Sequence, residues 1–294
     1  MQATGKTVYH MVIQCIGALI NVALDPILIF GLPGCPAFGV AGAAAATVIG
    51  QCTAMAIGMA MNARLNPDIH LSVRGFRPSA QITAEICRVG LPAALTQALS
   101  TAMTAGMNAI LMPLDASAVG FFGVYYKLQN FFYIPLYGLT NTMVPIIGYN
   151  LGAEKPARIR RLTRWALWFA LAIMGAGAVL FFAFPKTLLG MFGKEDLAFA
   201  GGAAAIRILA PSFLPAGAAL TFAGALQGLG RSGDALWIAA LRQLVVLLPA
   251  AYLLGRYCAD ALWFAFPFAE LVTLPAALLL WRRAARRSLS QSIH

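Results

Sequence analysis

Long stretches without charge limit what this chain can become more than any other feature. Its 294 residues hold only 21 Lys and Arg and 10 Asp and Glu. These gather in short clusters, and the runs between them are apolar. A bilayer core of about 30 Å is crossed by roughly 20 helical residues. On that ruler eight spans are predicted, over 8–31, 38–61, 88–112, 117–148, 163–184, 199–226, 235–255 and 260–281. Alternating strand patterns are missing, so a β-barrel is not expected. The expected fold class is therefore all-α, a polytopic helical membrane protein with about eight transmembrane helices. Composition agrees: 60% of the residues are hydrophobic and 11% charged, against typical values of roughly 45–50% and about 25%. A soluble globular surface, a disordered chain and a disulfide scaffold are excluded on the same ground.

The formal net charge of +11 would suit a nucleic-acid binder if the basic residues formed one patch. They instead lie in the connections between apolar runs, which is the mark of membrane topology. With a cytoplasmic amino terminus, fifteen of the 21 fall on one face: Lys6, Arg64, Arg74, Arg77, Arg88, the cluster from Lys155 to Arg164, Arg231, and the group Arg282, Arg283, Arg286 and Arg287. Lys186, Lys194 and Arg256 fall on the other, beside Asp115, Glu195, Asp196 and Asp260. This asymmetry places both termini in the cytoplasm of a bacterial inner membrane. Nucleic acid is not an expected partner; the lipid bilayer is.

Organisation follows from the longest polar stretch. Residues 1–61 supply two helices, and 62–87 read as a cytoplasmic connector ending in a short amphipathic segment. Residues 88–281 supply six more spans, and 282–294 a basic cytoplasmic tail. The loop from Gly152 to Arg164 is basic and opens a helix near Pro156. Small residues crowd the spans, as in Gly39–Thr47, Gly175 with Gly177, and Gly224 with Gly228, and let helices approach closely. Prolines at mid-span, among them Pro92, Pro135, Pro145 and Pro249, can each kink a helix.

Motifs for covalent chemistry are missing. The chain has no His-Glu-x-x-His, no phosphate-binding loop and no Gly-x-Ser-x-Gly. Gly228-Leu-Gly230 continues as Arg-Ser-Gly-Asp and reads as a turn. Five cysteines form no Cys-x-x-Cys pair, so no metal or cofactor chemistry is expected, and no enzyme.

Ionisable groups at membrane depth cost at least ~2.5 kcal/mol on insertion scales and need a reason. Asp25 lies four residues after Asn21, on the same helix face, and just before Pro26. Pro26 leaves the Val22 carbonyl without its usual helical donor. A free carbonyl beside a carboxylate suits a proton or a hard cation such as Na+; pairing with a neighbouring helix is the structural alternative. Arg242 and Glu270 sit near the middle of consecutive spans and are expected to form a structural ion pair. Lys127 could line a cavity, snorkel or pair with Glu270. Spans three and four carry Gln97, Asn108, Tyr126, Asn130 and Asn141 among aromatics, a composition suited to a cavity for lipophilic cations.

Several of these segments are similar to a known family. Asn21-Val-Ala-Leu-Asp25-Pro26 through Gly31, followed by Gly39 to Thr47, resembles the fifth and sixth helices of the multidrug and toxic compound extrusion (MATE) family. Gly90-Leu-Pro92 looks like the start of its seventh helix. Gly138-Leu-Thr-Asn-Thr through Pro145 to Ala153 is similar to the end of its eighth, and Gln227-Gly-Leu-Gly230 to the end of its tenth. Tyr125-Tyr-Lys127-Leu-Gln129 suggests the bacterial branch that includes the staphylococcal multidrug exporter.

The resemblance implies a secondary antiporter with two six-helix lobes. Such a protein alternates access and exports lipophilic or cationic compounds in exchange for protons or sodium. It implies an ion-coupling role for Asn21 and Asp25, with Thr47 as a third member. It also implies that the chain holds the last eight of twelve helices: a partial first lobe and a complete second one. On that reading the chain is truncated and its independent activity is in question. A second copy, or the missing N-terminal helices, would have to cover exposed faces. A flippase for lipid-linked saccharides and a non-transporting membrane subunit are the alternatives.

Overall fold

The computed structural model describes residues 7–31, 36–66, 79–191, 201–258 and 260–290. These form helices, with no strand among the described residues. The chain divides into two units, Met1–Pro78 and Ser79–His294.

The first unit holds α1 (Thr7–Phe30) and α2 (Val40–Leu65). They pack as an antiparallel hairpin, because early positions of α1 meet late positions of α2: Gly17 lies against Gly50 and Ala54, Leu28 against Gly42, and Ile13 against Gly58. The seam is made of glycines because the backbones touch. A Cβ on Gly42 would stand 2.3 Å from the Leu28 carbonyl oxygen, and one on Gly50 would stand 2.8 Å from that of Gly17. Close backbone approach through small residues is how helices associate where lipid competes for apolar side chains. The outward side chains, such as Leu19, Val22 and Val48, are exposed.

The second unit begins with α3 (Ala80–Leu111) and α4 (Ala116–Gly152). Ser79 caps α3, accepting from the Ile82 N–H at 3.5 Å. Asp115 caps α4, accepting from the Ser117 N–H at 2.8 Å and its hydroxyl at 2.7 Å. The Ser117 hydroxyl and then its N–H hold the Asp115 carboxyl below its ordinary value of 3.8, so this exposed cap is charged at neutral pH. Next come α5 (Pro156–Ala183), the short α6 (Pro185–Gly190), and α7 (Gly202–Leu209) running through a tight turn into α8 (Phe213–Gly228). Then follow α9 (Ser232–Ala240), a π-helical segment (Leu241–Val245), α10 (Leu247–Tyr257), and α11 (Ala265–Ser290). The turn between α8 and α9 contains Gly230 at φ 75°, a conformation that favours glycine.

Two apolar clusters hold this unit. One is aromatic and lies toward the Leu111–Ala116 and α5–α6 end. It contains Phe121, Phe122, Tyr125, Phe181, Phe213 and Trp263. Phe181 and Phe213 pack with ring centres 4.8 Å apart, and Phe121 meets Trp263 edge-on at 4.9 Å, within the range of favourable aromatic pairs. The other cluster lies toward the basic loops and is mainly aliphatic, built from Met143, Ile147, Ile159, Leu226 and Trp281 with several alanines. The expected Gly224 and Gly228 face packs on α4: added Cβ atoms would lie 3.0 Å from Thr140 and 2.7 Å from Ile147.

Among the described residues, six stretches are long and apolar enough to cross a membrane: Val8–Phe30, Val40–Leu65, Pro156–Ala183, Gly202–Gly228, Ser232–Tyr257 and Ala261–Arg287. The other two expected spans lie in α3 and α4. These helices have 32 and 37 residues, lengths of about 48 and 55 Å at 1.5 Å per residue. They are ample in length but diluted by amides and hydroxyls.

Three boundaries differ from expectation. Residues 80–87, expected as a separate amphipathic segment of the connector, are the first turns of a continuous α3, which runs on through Pro92. Residues 62–65 likewise belong to α2, and 67–78 lie outside the described residues. The basic tail expected from residue 282 is a continuation of α11 as far as Ser290.

Candidate functional site

Two polar clusters occupy helix interiors, one in each unit. In the first unit, Asn21 Nδ2 donates to Asp25 Oδ1 at 3.5 Å and to Thr47 Oγ1 at 3.3 Å. The first contact follows from the four-residue spacing on α1. The second depends on the glycine seam, since the Asn21 Cβ lies 3.3 Å from where a Gly50 Cβ would be. Thr47 turns its own proton to the Ala43 carbonyl at 2.9 Å, which leaves its hydroxyl oxygen as an acceptor. The ion pairs among the described residues, Arg231–Asp234 and Arg242–Glu270, leave Asp25 without a basic partner. A carboxylate with an amide and a hydroxyl beside it, next to the break at Pro26, is a set of oxygens that a proton or a hard cation can occupy. Turning the Asn21 amide over would present its oxygen to the same space. No group of three His, Cys, Asp or Glu side chains that could hold a metal is found among the described residues.

In the second unit, Arg242 Nε donates to Glu270 Oε1, and Arg242 Nη2 donates to Tyr133 Oη at 2.8 Å. The expected Arg242–Glu270 pair is thus present, and Tyr133 of α4 extends it. All three side chains are buried. The backbone explains the inward placement of Arg242 and its neighbour Gln243. Both lie in the π-helical segment, where the Val246 N–H donates to the Leu241 carbonyl five residues back at 3.0 Å. Pro249 accounts for the break: it offers no N–H to the Val245 carbonyl, and its ring crowds that oxygen. Wide turns of this kind recur at functional sites. The satisfaction of the cluster is incomplete. Glu270 Oε2 and Gln243 Oε1 are buried with no hydrogen-bond partner. An unmet buried acceptor costs about 1–3 kcal/mol.

These side chains line two adjoining cavities. The smaller, of about 40 Å³, is bordered by Tyr126, Gln129, Asn130, Tyr133, Gln243 and Glu270 among others. The larger, of about 380 Å³, is bordered by Gln97, Thr140, Asn141, Gln227, Arg242 and Gln243 among others. Ser100, Tyr137, Arg242 and Gln243 belong to both walls. Of the six cavity residues expected from the sequence, Tyr126 and Asn130 line the smaller and Gln97 and Asn141 the larger. Asn108 and Lys127 line neither, and Glu270 pairs with Arg242 rather than with Lys127. Arg207 Nε donates to the Phe182 carbonyl at 3.4 Å. Gln129, Tyr133 and Tyr137 belong to the aromatic and amide groups of span four and Gln243 adjoins Arg242, but the sequence does not single them out as site residues. Gln243 had a usable signal, since it adjoins an intramembrane arginine four residues before a break at Val246–Leu247 and six before Pro249.

Comparison with known proteins follows the same order of residues. A family model described as MatE matches residues 92–253, more than half of the chain. A FAD transporter of Shewanella oneidensis is 27% identical over 269 residues, covering 86% of this chain and 56% of that protein. The multidrug export protein MepA of Staphylococcus saprophyticus is 28% identical over 254 residues, covering 86% and 55%. The chain therefore spans about half the length of these relatives. Among solved structures, a MATE protein in the bent conformation superposes with a TM-score of 0.85 at 22% identity, covering 97% of this chain and 63% of that one. The Vibrio cholerae MATE transporter VcmN in the bent form gives 0.85 at 24%, covering 98% and 64%.

Proposed function

The chain belongs to the MATE family, a multi-pass helical membrane protein, and from that premise we propose that it acts in secondary export of small organic compounds, lipophilic cations among them. The driving force is proton or sodium entry across a bacterial cytoplasmic membrane, by alternating access. The observation that carries this reading is the convergence of Asn21, Asp25 and Thr47 across two helices, with no basic partner to Asp25 among the described residues. A lone carboxylate at membrane depth is costly unless a cation or proton neutralises it. A site of that kind can exchange its occupant with either face as the surrounding helices open.

The roles divide by chemistry. Asp25 carries the proton or takes the ion, Asn21 orients it, and Thr47 completes the oxygen set. The second unit supplies a cavity for cargo, with aromatic walls and amide groups at Gln97, Tyr126, Asn130 and Asn141. Relatives with this family's fold are described as multidrug and FAD transporters, which supports transport over catalysis. No cofactor is required beyond the coupling ion.

The test is retention of a fluorescent lipophilic cation by drug-sensitive bacteria expressing the chain. Export should stop when an uncoupler or a sodium ionophore collapses the driving gradient. Export that continues after both gradients are gone would overturn the reading.

A further inference from the structure

We propose that the paired cavities of the second unit hold a neutral planar ring that presents an N–H edge, such as a heterocyclic lactam or imide. The inference rests on the transport reading above and names a class of cargo for that unit.

The first step is charge. Glu270 is joined to Arg242, so the two formal charges cancel within one contact. A cation entering beside them is drawn to the carboxylate and repelled by the guanidinium, so the pair holds it only weakly against the cost of leaving water. A neutral group carries no such desolvation cost and is held better.

The second step is hydrogen bonding. Glu270 Oε2 and Gln243 Oε1 are acceptors without donors. Both residues are more than nine-tenths buried, at 7% and 8% exposure. Both line the smaller cavity. They call for an N–H or O–H that points inward. Quaternary ammonium and phosphonium ions have none to offer. Arg242 borders both cavities, and its N–H groups are natural donors to carbonyls flanking such an edge.

The third step is shape. A space of about 40 Å³ admits only the edge of a molecule. The adjoining space of about 380 Å³ is large enough for a ring system and lies within the range of about 300–1,000 Å³ common for small-molecule sites. Tyr137 borders both spaces, and Tyr126, Tyr133 and Phe266 line the smaller one; aromatic side chains there favour a flat edge. An imide ring satisfies all three demands, with an N–H between two carbonyls on one face of an aromatic system.

The experiment uses the full chain in lipid nanodiscs, with lumiflavin and 3-methyllumiflavin as probes and quenching of flavin fluorescence as the readout. The two probes differ only at the imide nitrogen, which carries a hydrogen in one and a methyl group in the other, and the acceptor variants below separate the lost donor from the added bulk. Lumiflavin should bind roughly tenfold or more tightly than its methylated form, the difference expected when a buried acceptor loses its donor. Gln243→Met removes one acceptor without uncovering a charge and should shrink the difference; Glu270→Gln serves as a second variant. Tetraphenylphosphonium, which offers no N–H, should displace lumiflavin only at much higher concentration than lumiflavin itself. Equal affinity for the two flavins, no binding of either, or a difference that persists in both variants would overturn the proposal. The wild-type comparison needs no variant to fold. Export of a lipophilic cation is scored separately: its loss with flavin discrimination intact would count against the transport reading alone.

Discussion

Asp25 and Glu270 show how the same carboxylate group is used in two ways at membrane depth. Glu270 is tied to Arg242, which also donates to Tyr133, whereas Asp25 has an amide for its neighbour. Removing one member of a buried ion pair leaves the other uncompensated, at a cost of about 3–5 kcal/mol. Arg242→Gln and Glu270→Gln should each lower stability by that order in thermal unfolding of the purified protein, and the double change should cost less than their sum. Additive losses would mean that the residues do not act as a pair. Asp25→Asn should leave insertion and stability nearly unchanged while abolishing gradient-driven export. Much of this was legible in the sequence. Two opposite charges near the middle of consecutive spans have to neutralise each other, and Asn21 and Asp25 share a face by spacing alone. Tyr133 was not legible, because its hydroxyl reaches Arg242 across 109 positions of chain, and no local pattern marks one tyrosine among eight. Asn108 and Lys127 show the converse. Composition places polar groups on a helix but does not say which side faces a cavity.

At the scale of elements, helix contacts are set where side chains are smallest. Gly42 and Gly50 let α1 and α2 touch, and that contact carries Thr47 to Asn21. Gly42→Ala places a methyl 2.3 Å from the Leu28 carbonyl oxygen, and overpacking of this kind costs about 1–3 kcal/mol. The substitution should lower thermal stability and reduce export. Gly138→Ala is the control, since nothing lies within 4 Å of its added Cβ. Equal effects of the two changes would show that the seam is not limiting. The small-residue runs were visible in sequence as packing faces, although their partners were not. The π-helical segment escaped notice because hydropathy is blind to a change from a 3.6-residue turn to a wider one. Only Pro249 hinted at it. The extension of α3 back to Ala80 was missed for a related reason. Polar residues 80–87 look like a connector by composition, yet Ser79 starts a helix there and nothing stops it.

At the scale of the whole molecule, the uneven spread of Lys and Arg predicts orientation. The groove on α5 formed by Arg160, Arg161, Arg164, Trp165 and Trp168 combines basic and interfacial aromatic residues, as cytoplasmic membrane boundaries do. A reporter attached after residue 294 should be active in the cytoplasm; periplasmic activity would reverse the topology. The measurement that bears most directly on the central claim is flux in proteoliposomes. The purified chain is reconstituted, and a proton or sodium gradient is imposed. Movement of a fluorescent lipophilic cation is then followed for wild type and Asp25→Asn at equal protein levels. The account predicts gradient-dependent flux by the wild type and none by the variant. Equal flux by the two proteins, or none from well-folded wild type, would contradict it.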